Sequence, residues 1–429
     1  MKRSHNKYAV FCTLFFMHAA VATAQVFSLQ DAELRARDWY PLIRQKGLIQ
    51  KTSDLTAQNL SKNFLPQLTL GGQATYQSDV TQLLIPNAPF KVEPLSKDQY
   101  RLNLDMNQVV YDGGMIRHQQ ELTRLQSKLD DSRVEIELHR LMEKIDQLYF
   151  NVLLLDAMMG QVASVRADID NGIRKVSAQL EGGVALRSSL DVLKAEQIRT
   201  GQRMTELEST RSAMLDALGV LTDTTFDAGT TLRMPASDKD APLTIDRPEQ
   251  RLYRTQVEMS KKQTDLLASR NLPRASVFLQ GGYGRPGLNM LKNEFALYGM
   301  GGIRINWAIG NLYTKKNDAE IHGINGMMAS LQEEAFLKNT NAQVRQEYGE
   351  LSKLRKLIDS DMEIIALRES VKKSALAQLE AGVITPSDYL REVNAEDLSR
   401  QALKAHQVQL AQAEAGLRWL LGRTALNNR

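Results

Sequence analysis

The 429-residue chain reads as an α+β membrane protein in which long coiled-coil helices alternate with membrane-type β-strands, the whole plan occurring twice. Three observations carry this. Some stretches alternate strictly between apolar and polar residues; proline-free helices run far longer than a compact domain needs; and short motifs recur about 200 residues apart.

The N-terminus sets the compartment. Lys2, Arg3 and Lys7 precede an apolar run from Ala9 to Ala22, and Ala22-Thr23-Ala24 gives a small-residue cleavage pattern, so residues 1–24 read as a secretory signal peptide. Cys12, the only cysteine, lies inside it, too early after Val10-Phe11 to be a lipidation site. The mature chain therefore has no thiol chemistry, disulfide or cysteine metal site. The formal charge of +4 includes three signal-peptide cations and no signal-peptide acid, leaving 4 − 3 = +1, which argues against a nucleic-acid partner.

Low aromatic content, only 11 prolines and a crowding of Ala, Leu, Gln, Glu, Lys and Arg are a helical, coiled-coil-like composition. No apolar run of the mature chain is expected to span a bilayer as a helix; the richest, Val152 to Met159, contains Asp156. A membrane would then be crossed by strands.

Residues 25–221 read as a first repeat. Ser28-Leu29-Gln30-Asp31 opens a helix with a serine cap, punctuated at Pro41 and resumed to about Asn63; Leu65-Pro66 ends it. A hairpin at 66–111 follows. Leu68, Leu70, Ala74 and Tyr76 alternate with Gln67, Thr69, Gln73, Thr75 and Gln77; then Tyr100, Leu102, Leu104 and Met106 alternate with Gln99, Arg101, Asn103, Asp105 and Asn107. One face is greasy and the other wet, the split of an outer-membrane barrel between lipid and lumen or of a soluble sheet between core and solvent. The loop between the strands, about 79–98, carries Pro86, Pro89 and Pro94.

Asp112-Gly113-Gly114 releases the chain into a helix with no proline as far as Leu180. Apolar residues at 141, 145, 148, 152, 155, 159 and 162 form a heptad seam. It continues through Val165, Ile169, Ile173, Val176 and Leu180, with an 11-residue step from Val162 to Ile173 that relaxes the left-handed supercoil, as suits helices around a wide tube. Some 67 helical residues would reach roughly 100 Å. Glu181-Gly182-Gly183-Val184 breaks this helix, and a second returns over about 188–221.

Residues 222–247, with Pro235 and Pro242, read as a linker, and 248–429 as a second repeat with a hairpin at 274–308. Leu65-Pro66-Gln67-Leu68-Thr69 matches Leu272-Pro273-Arg274-Ala275-Ser276, and Tyr76 matches Tyr283. At an offset of 199, Asn107 pairs with Asn306, Glu121 with Glu320, and Glu181-x-Gly183-Val184 with Glu380-x-Gly382-Val383. The new strands put Ala275, Val277, Leu279 and Tyr283, then Phe295, Leu297, Ile303, Ile305 and Trp307, on greasy faces; Arg304 and Asn306 take the wet one. Tyr76, Tyr100, Tyr283, Phe295 and Trp307 lie where an interfacial girdle would be. Four strands cannot close a transmembrane barrel, so the edges await other copies. Two copies give eight strands and three give twelve; strand count does not choose.

With these residues in view, the mature chain resembles the TolC-like outer-membrane efflux proteins, the outer membrane factors. The resemblance rests on Leu65-Pro66 and Leu272-Pro273 at strand entry, Tyr111-Asp112-Gly113-Gly114 at strand exit and the Gly-Val turns at the helix tips. It implies a homotrimer whose twelve strands form one outer-membrane barrel continuing into a periplasmic α-helical barrel. It also implies an exit duct of a tripartite efflux or type I secretion system, docked on a periplasmic adaptor (membrane fusion) protein and served by an inner-membrane transporter of RND, ABC or MFS type. Gly183-Val184 and Gly382-Val383-Ile384-Thr385 match the adaptor-docking tips. Asp388 falls where relatives place an entrance-lining carboxylate, but Arg391 stands one turn on in place of a second acid, so an Asp388-Arg391 ion pair competes with an acidic ring. Arg101, Asn103, Asp105, Arg304 and Asn306 would face the lumen.

No catalytic constellation appears. Gly282-x-Gly284-x-x-Gly287 matches the dinucleotide fingerprint literally, but it ends a strand, contains Pro286 and opens no helix for a phosphate. His118, His139, His322 and His406 are scattered, without i, i+4 partners. The expectation is a non-enzyme without cofactor or metal. The rival readings are a soluble periplasmic coiled-coil scaffold and an exported enzyme.

Overall fold

The structure, a computed structural model, describes residues 26–81, 94–236 and 244–423. The expected signal peptide, the middle of the 79–98 loop with Asn87, and part of the expected linker lie outside them.

A short strand β1 (Val26–Phe27) leads into α1 (Leu29–Trp39). The serine cap closes as a capping box: the Asp31 amide donates to Ser28 Oγ (3.1 Å) and the Ser28 amide to Asp31 Oδ2 (3.3 Å), satisfying amides the helix leaves free. After Pro41, α2 (Leu42–Ser61) and a 3-10 turn (Lys62–Phe64) reach the sheet. β2 (Gln67–Tyr76) and β3 (Asp98–Tyr111) pair antiparallel, Gln67 opposite Asn107. β3 extends four residues past the alternation at Asn107, because a bulge between Val109 and Tyr111 absorbs an extra residue and continues the ladder.

Asp112 explains the strand exit. Its Oδ1 accepts from the Gly114 amide (2.8 Å) and its Oδ2 from the Ile116 amide (2.7 Å), capping α3 (Met115–Glu181). Gly113 and Gly114 have φ of 72° and 84°, and a Cβ on Gly113 would fall 2.9 Å from the Ser269 carbonyl, so both steric and backbone reasons demand glycine.

α3 returns as α4 (Arg187–Thr222). Leu141, Ile145, Val152, Val162, Val165, Ile169 and Val176 of the heptad seam are buried. The largest core surrounds the middle of α3, where α1, α4 and Phe27 meet. The 222–247 segment is not merely a connection: β4 (Thr231–Leu232) pairs parallel with β1, and the Tyr149 hydroxyl lies 2.8 Å from the Phe27 carbonyl oxygen and 2.7 Å from that of Arg233.

Contrary to expectation, α3 does hold an 18-residue window apolar enough to cross a membrane, with mean hydropathy 1.4. A single acid lowers the mean of such a window little. Asp156 is ion-paired with Arg211 of α4, and neighbouring Tyr149, Phe150 and Val152 are spent on the core.

The element order then recurs: α5 (Pro248–Arg270), β5 (Arg274–Arg285), β6 (Ala296–Asn306), a 3-10 turn (Ile309–Leu312), α6 (Lys315–Glu380) and α7 (Pro386–Leu420). Phe295 and Trp307, expected within the last strand, flank it. β5 pairs with both β3 and β6, giving one antiparallel sheet in the order β2-β3-β5-β6. β2 and β6 are its open edges. α7 packs into the core of α3 through Val408 and Ala415.

Candidate functional site

The register sorts the sheet into two faces. Residues directly opposite share a face, so Leu68–Met106–Leu279, Leu70–Leu104 and Leu102–Tyr283–Leu297 make apolar rows across the strands. Apart from the half-buried Met106 these side chains are uncovered, from 48% exposed at Tyr283 to 83% at Leu297. An apolar surface this continuous requires lipid or another chain. Tyr76, Tyr100, Tyr283 and Phe295 gather at the end remote from the helices, Tyr283 and Phe295 stacked at 5.5 Å. Tyr111, which the bulge puts opposite Ala275, joins Trp307 at the helix end, a placement the plain alternation missed. The Trp307 indole donates to the Asn271 carbonyl (3.0 Å).

The other face carries Arg101, Asn103, Asp105, Arg304 and Asn306 together, with Gln280 donating to Asp105 Oδ1 at 2.6 Å. The glycine-rich segment is β-strand: Gly282 and Gly284 lie inside β5, and the next α-helix is α6, which begins at Lys315. No phosphate-binding helix N-terminus follows.

At the far ends of the helices the two tip turns share one hydrogen-bond pattern. The Val184 amide donates to the Gln179 carbonyl and the Val383 amide to the Gln378 carbonyl, each at 2.9 Å. Gly183 and Gly382 take φ of 76° and 69°, the left-handed conformation that ends a helix in this way. A Cβ at either would meet nothing within 4 Å, so the requirement is conformational. Val184 and Val383 are 82% and 72% exposed, and Leu186 joins them at 73%. Ile384 does not: it packs on the cluster of Val176, Leu379 and Tyr389, because the chain turns inward there to start α7. The two turns are tied together. Gln179 Nε2 donates to the carbonyls of Leu379 (3.1 Å) and Glu380 (3.0 Å), and Lys175 ion-pairs with Glu380.

Thr385 caps α7, and Asp388 completes the box, its amide donating to Thr385 Oγ1 (3.3 Å) and its Oδ2 accepting from the Thr385 amide (3.2 Å). The hydrogen bonds from Thr385, then the Arg391 charge at 3.7 Å, hold the Asp388 carboxyl below its usual range. Arg391 also reaches Glu392 (3.3 Å).

Sequence reasoning missed an ion cluster behind the tips, half-buried around the buried Glu396. Lys372 of α6 donates to Asp168 of α3 (2.8 Å) and Glu396 of α7 (2.9 Å), and Glu396 also pairs with Arg400. Burial opposes the charge on Lys372, yet its bonds to the two carboxylates outweigh that and raise its pKa. Only the topology brings these residues together. The histidines stay apart. His139 is buried against Trp419 with its pKa lowered to about 4, by burial and then by Arg247, while His406 bonds Asp361 (2.6 Å). Among the described residues no group of His, Cys, Asp and Glu could hold a metal ion.

No protein-family profile matches the chain, and neither does any curated protein. Solved structures do. The outer membrane protein VceC of Vibrio cholerae aligns with TM-score 0.69 at 15% identity, covering 92% of this chain and 96% of VceC. CusC, described in terms of folding and transmembrane channel formation, aligns at 0.72 and 14% identity over 92% of each chain. The open-state outer-membrane channel MtrE of Neisseria gonorrhoeae aligns at 0.65 and 14%, covering 92% and 89%. The chain therefore has the fold of these outer-membrane channels over nearly its whole length.

Proposed function

We propose that the protein is the outer-membrane exit duct of a tripartite export system. The observation that carries this is the open-edged sheet, apolar and uncovered on one face, set at one end of helices of 67 and 66 residues, a span of about 100 Å. Such a shape fits a membrane wall joined to a periplasmic tube. Likeness of fold to solved outer-membrane channels supports the same reading.

On this reading the chain is two homologous repeats, 25–221 and 248–429, behind a cleaved signal peptide. Three copies pair β6 of one with β2 of the next into a twelve-stranded barrel, and Arg101, Asn103, Asp105, Arg304 and Asn306 line its lumen. Gly183-Val184 and Gly382-Val383 dock a periplasmic adaptor, with Ile384 and Thr385 shaping the second turn. Asp388 and Arg391 lie at the entrance as an ion pair. Energy comes from an inner-membrane transporter; the duct has no catalytic residues and needs no cofactor.

The test is fractionation joined to crosslinking. The protein should sediment with outer membranes, require detergent for extraction and run as three copies, and photo-crosslinkers at Val184 and Val383 should capture a periplasmic adaptor. Release in the soluble periplasmic fraction would instead establish a coiled-coil scaffold.

A further inference from the structure

The polar face of the sheet is unevenly charged. By the register it bears Arg101, Arg274 and Arg304 against one acid, Asp105, so 3 − 1 = +2 for each chain among the described strand residues. The opposite face carries Asp98 and Arg285, which pair with one another and cancel. Asp105 is occupied by Gln280. None of the three arginines is paired with a described carboxylate: Arg274 reaches Met115 Sδ (3.2 Å), Arg304 lies over the Phe278 ring (4.7 Å) and Arg101 is exposed.

The same face breaks its own polarity. Phe278, Tyr298 and Met300 point with the polar residues. Glycines make room for the rings. A Cβ on Gly302 would lie 3.1 Å from Phe278, and one on Gly282 would fall within the Tyr298 ring, whose hydroxyl reaches across to Asn103. Ring faces thus lie along the wall beside an unpaired guanidinium.

Building on the duct reading, we infer that the barrel lumen favours anions, and amphiphilic organic anions most of all. Rings of arginine inside a low-dielectric wall concentrate counter-charge, and a site that holds solutes only weakly lets them leave again. The apolar body of a carboxylate, sulfonate or phosphate ester would lie on Phe278, Tyr298 and Met300, its charge near Arg304 or Arg101. At the tip, Asp388 and Arg391 oppose each other and add no net charge from that pair.

The full-length protein in planar bilayers tests this through its reversal potential in a potassium chloride gradient. Chloride should permeate in preference to potassium, and 2-naphthalenesulfonate added from the barrel side should depress current more than 2-naphthyltrimethylammonium. Arg101→Gln with Arg304→Gln should shift the permeability ratio toward potassium and relieve the block; Arg101→Lys with Arg304→Lys should keep the chloride preference. A potassium-preferring wild type, or a glutamine variant with an unchanged ratio, would overturn the inference while leaving the duct intact. Absence of any conductance would overturn the duct reading and the inference with it.

Discussion

Val184 and Val383 are apolar side chains that their own turns do not use, since each stands in solvent while its glycine neighbour supplies the left-handed backbone. Changing both to Asp should leave the protein at normal levels in the outer membrane yet abolish export and adaptor crosslinking. Persistent export would remove the tips as the docking surface. Ile384 behaves differently, and Ile384→Asp should lower stability by putting a charge against Tyr389 and Leu379. Asp146 offers a test of another kind. Burial, then the adjacent Glu33 carboxylate, push its pKa up to about 8, far above its unfolded value near 3.8. The folded chain therefore binds the extra proton, so this group's contribution to stability is whole below about pH 4 and lost as the pH rises through about 8. Melting curves at pH 5, 7 and 9 should fall for the wild type, and Asp146→Asn should flatten that fall; an identical slope in the variant would show that the pair does not carry it.

The strands make their prediction as a row. Arg at Leu70 or Leu104 should cost about 2 to 4 kcal/mol near a bilayer midplane, whereas Arg at Thr69 or Asn103 should be tolerated; denaturant titration in detergent or lipid would read the difference, and equal losses on both faces would mean that neither meets lipid. Among the helices, Lys372→Met should destabilise the chain by about 2 to 3 kcal/mol. That is less than a fully buried pair loses, because Asp168 is partly solvated and Arg400 still neutralises Glu396. Elements like these differ in how openly the sequence announces them. Period-two alternation located β2 within a residue and β5 within two, and the absence of proline with a Gly-Gly stop delimited α3, because those signals are local. The bulge that turns Tyr111 outward, the β1–β4 pair inside an expected linker and the Lys372 cluster depend on residues far apart in sequence, so periodicity carried no sign of them. At the tips, the glycines were legible from backbone need, while the inward turn of Ile384 was not, since it depends on packing against α3 and α6.

For the whole molecule, the sheet end remote from the helices should face outside. A peptide tag inserted at Asn289, in the connection between β5 and β6, should be labelled on intact cells, whereas labelling only after permeabilisation would invert the orientation. The pairing of Val26–Phe27 with Thr231–Leu232 has a consequence in time rather than in space. A chain threaded across a membrane from its N-terminus delivers Phe27 first, yet the strand that holds it arrives some 200 residues later, and Val408 and Ala415, which complete the same core, arrive almost last. The earliest segment waits for a strand about 200 residues further on, and the core around it for the last helix. On the duct reading, export and folding are thereby kept apart in this core, which stays incomplete until the final helix has crossed.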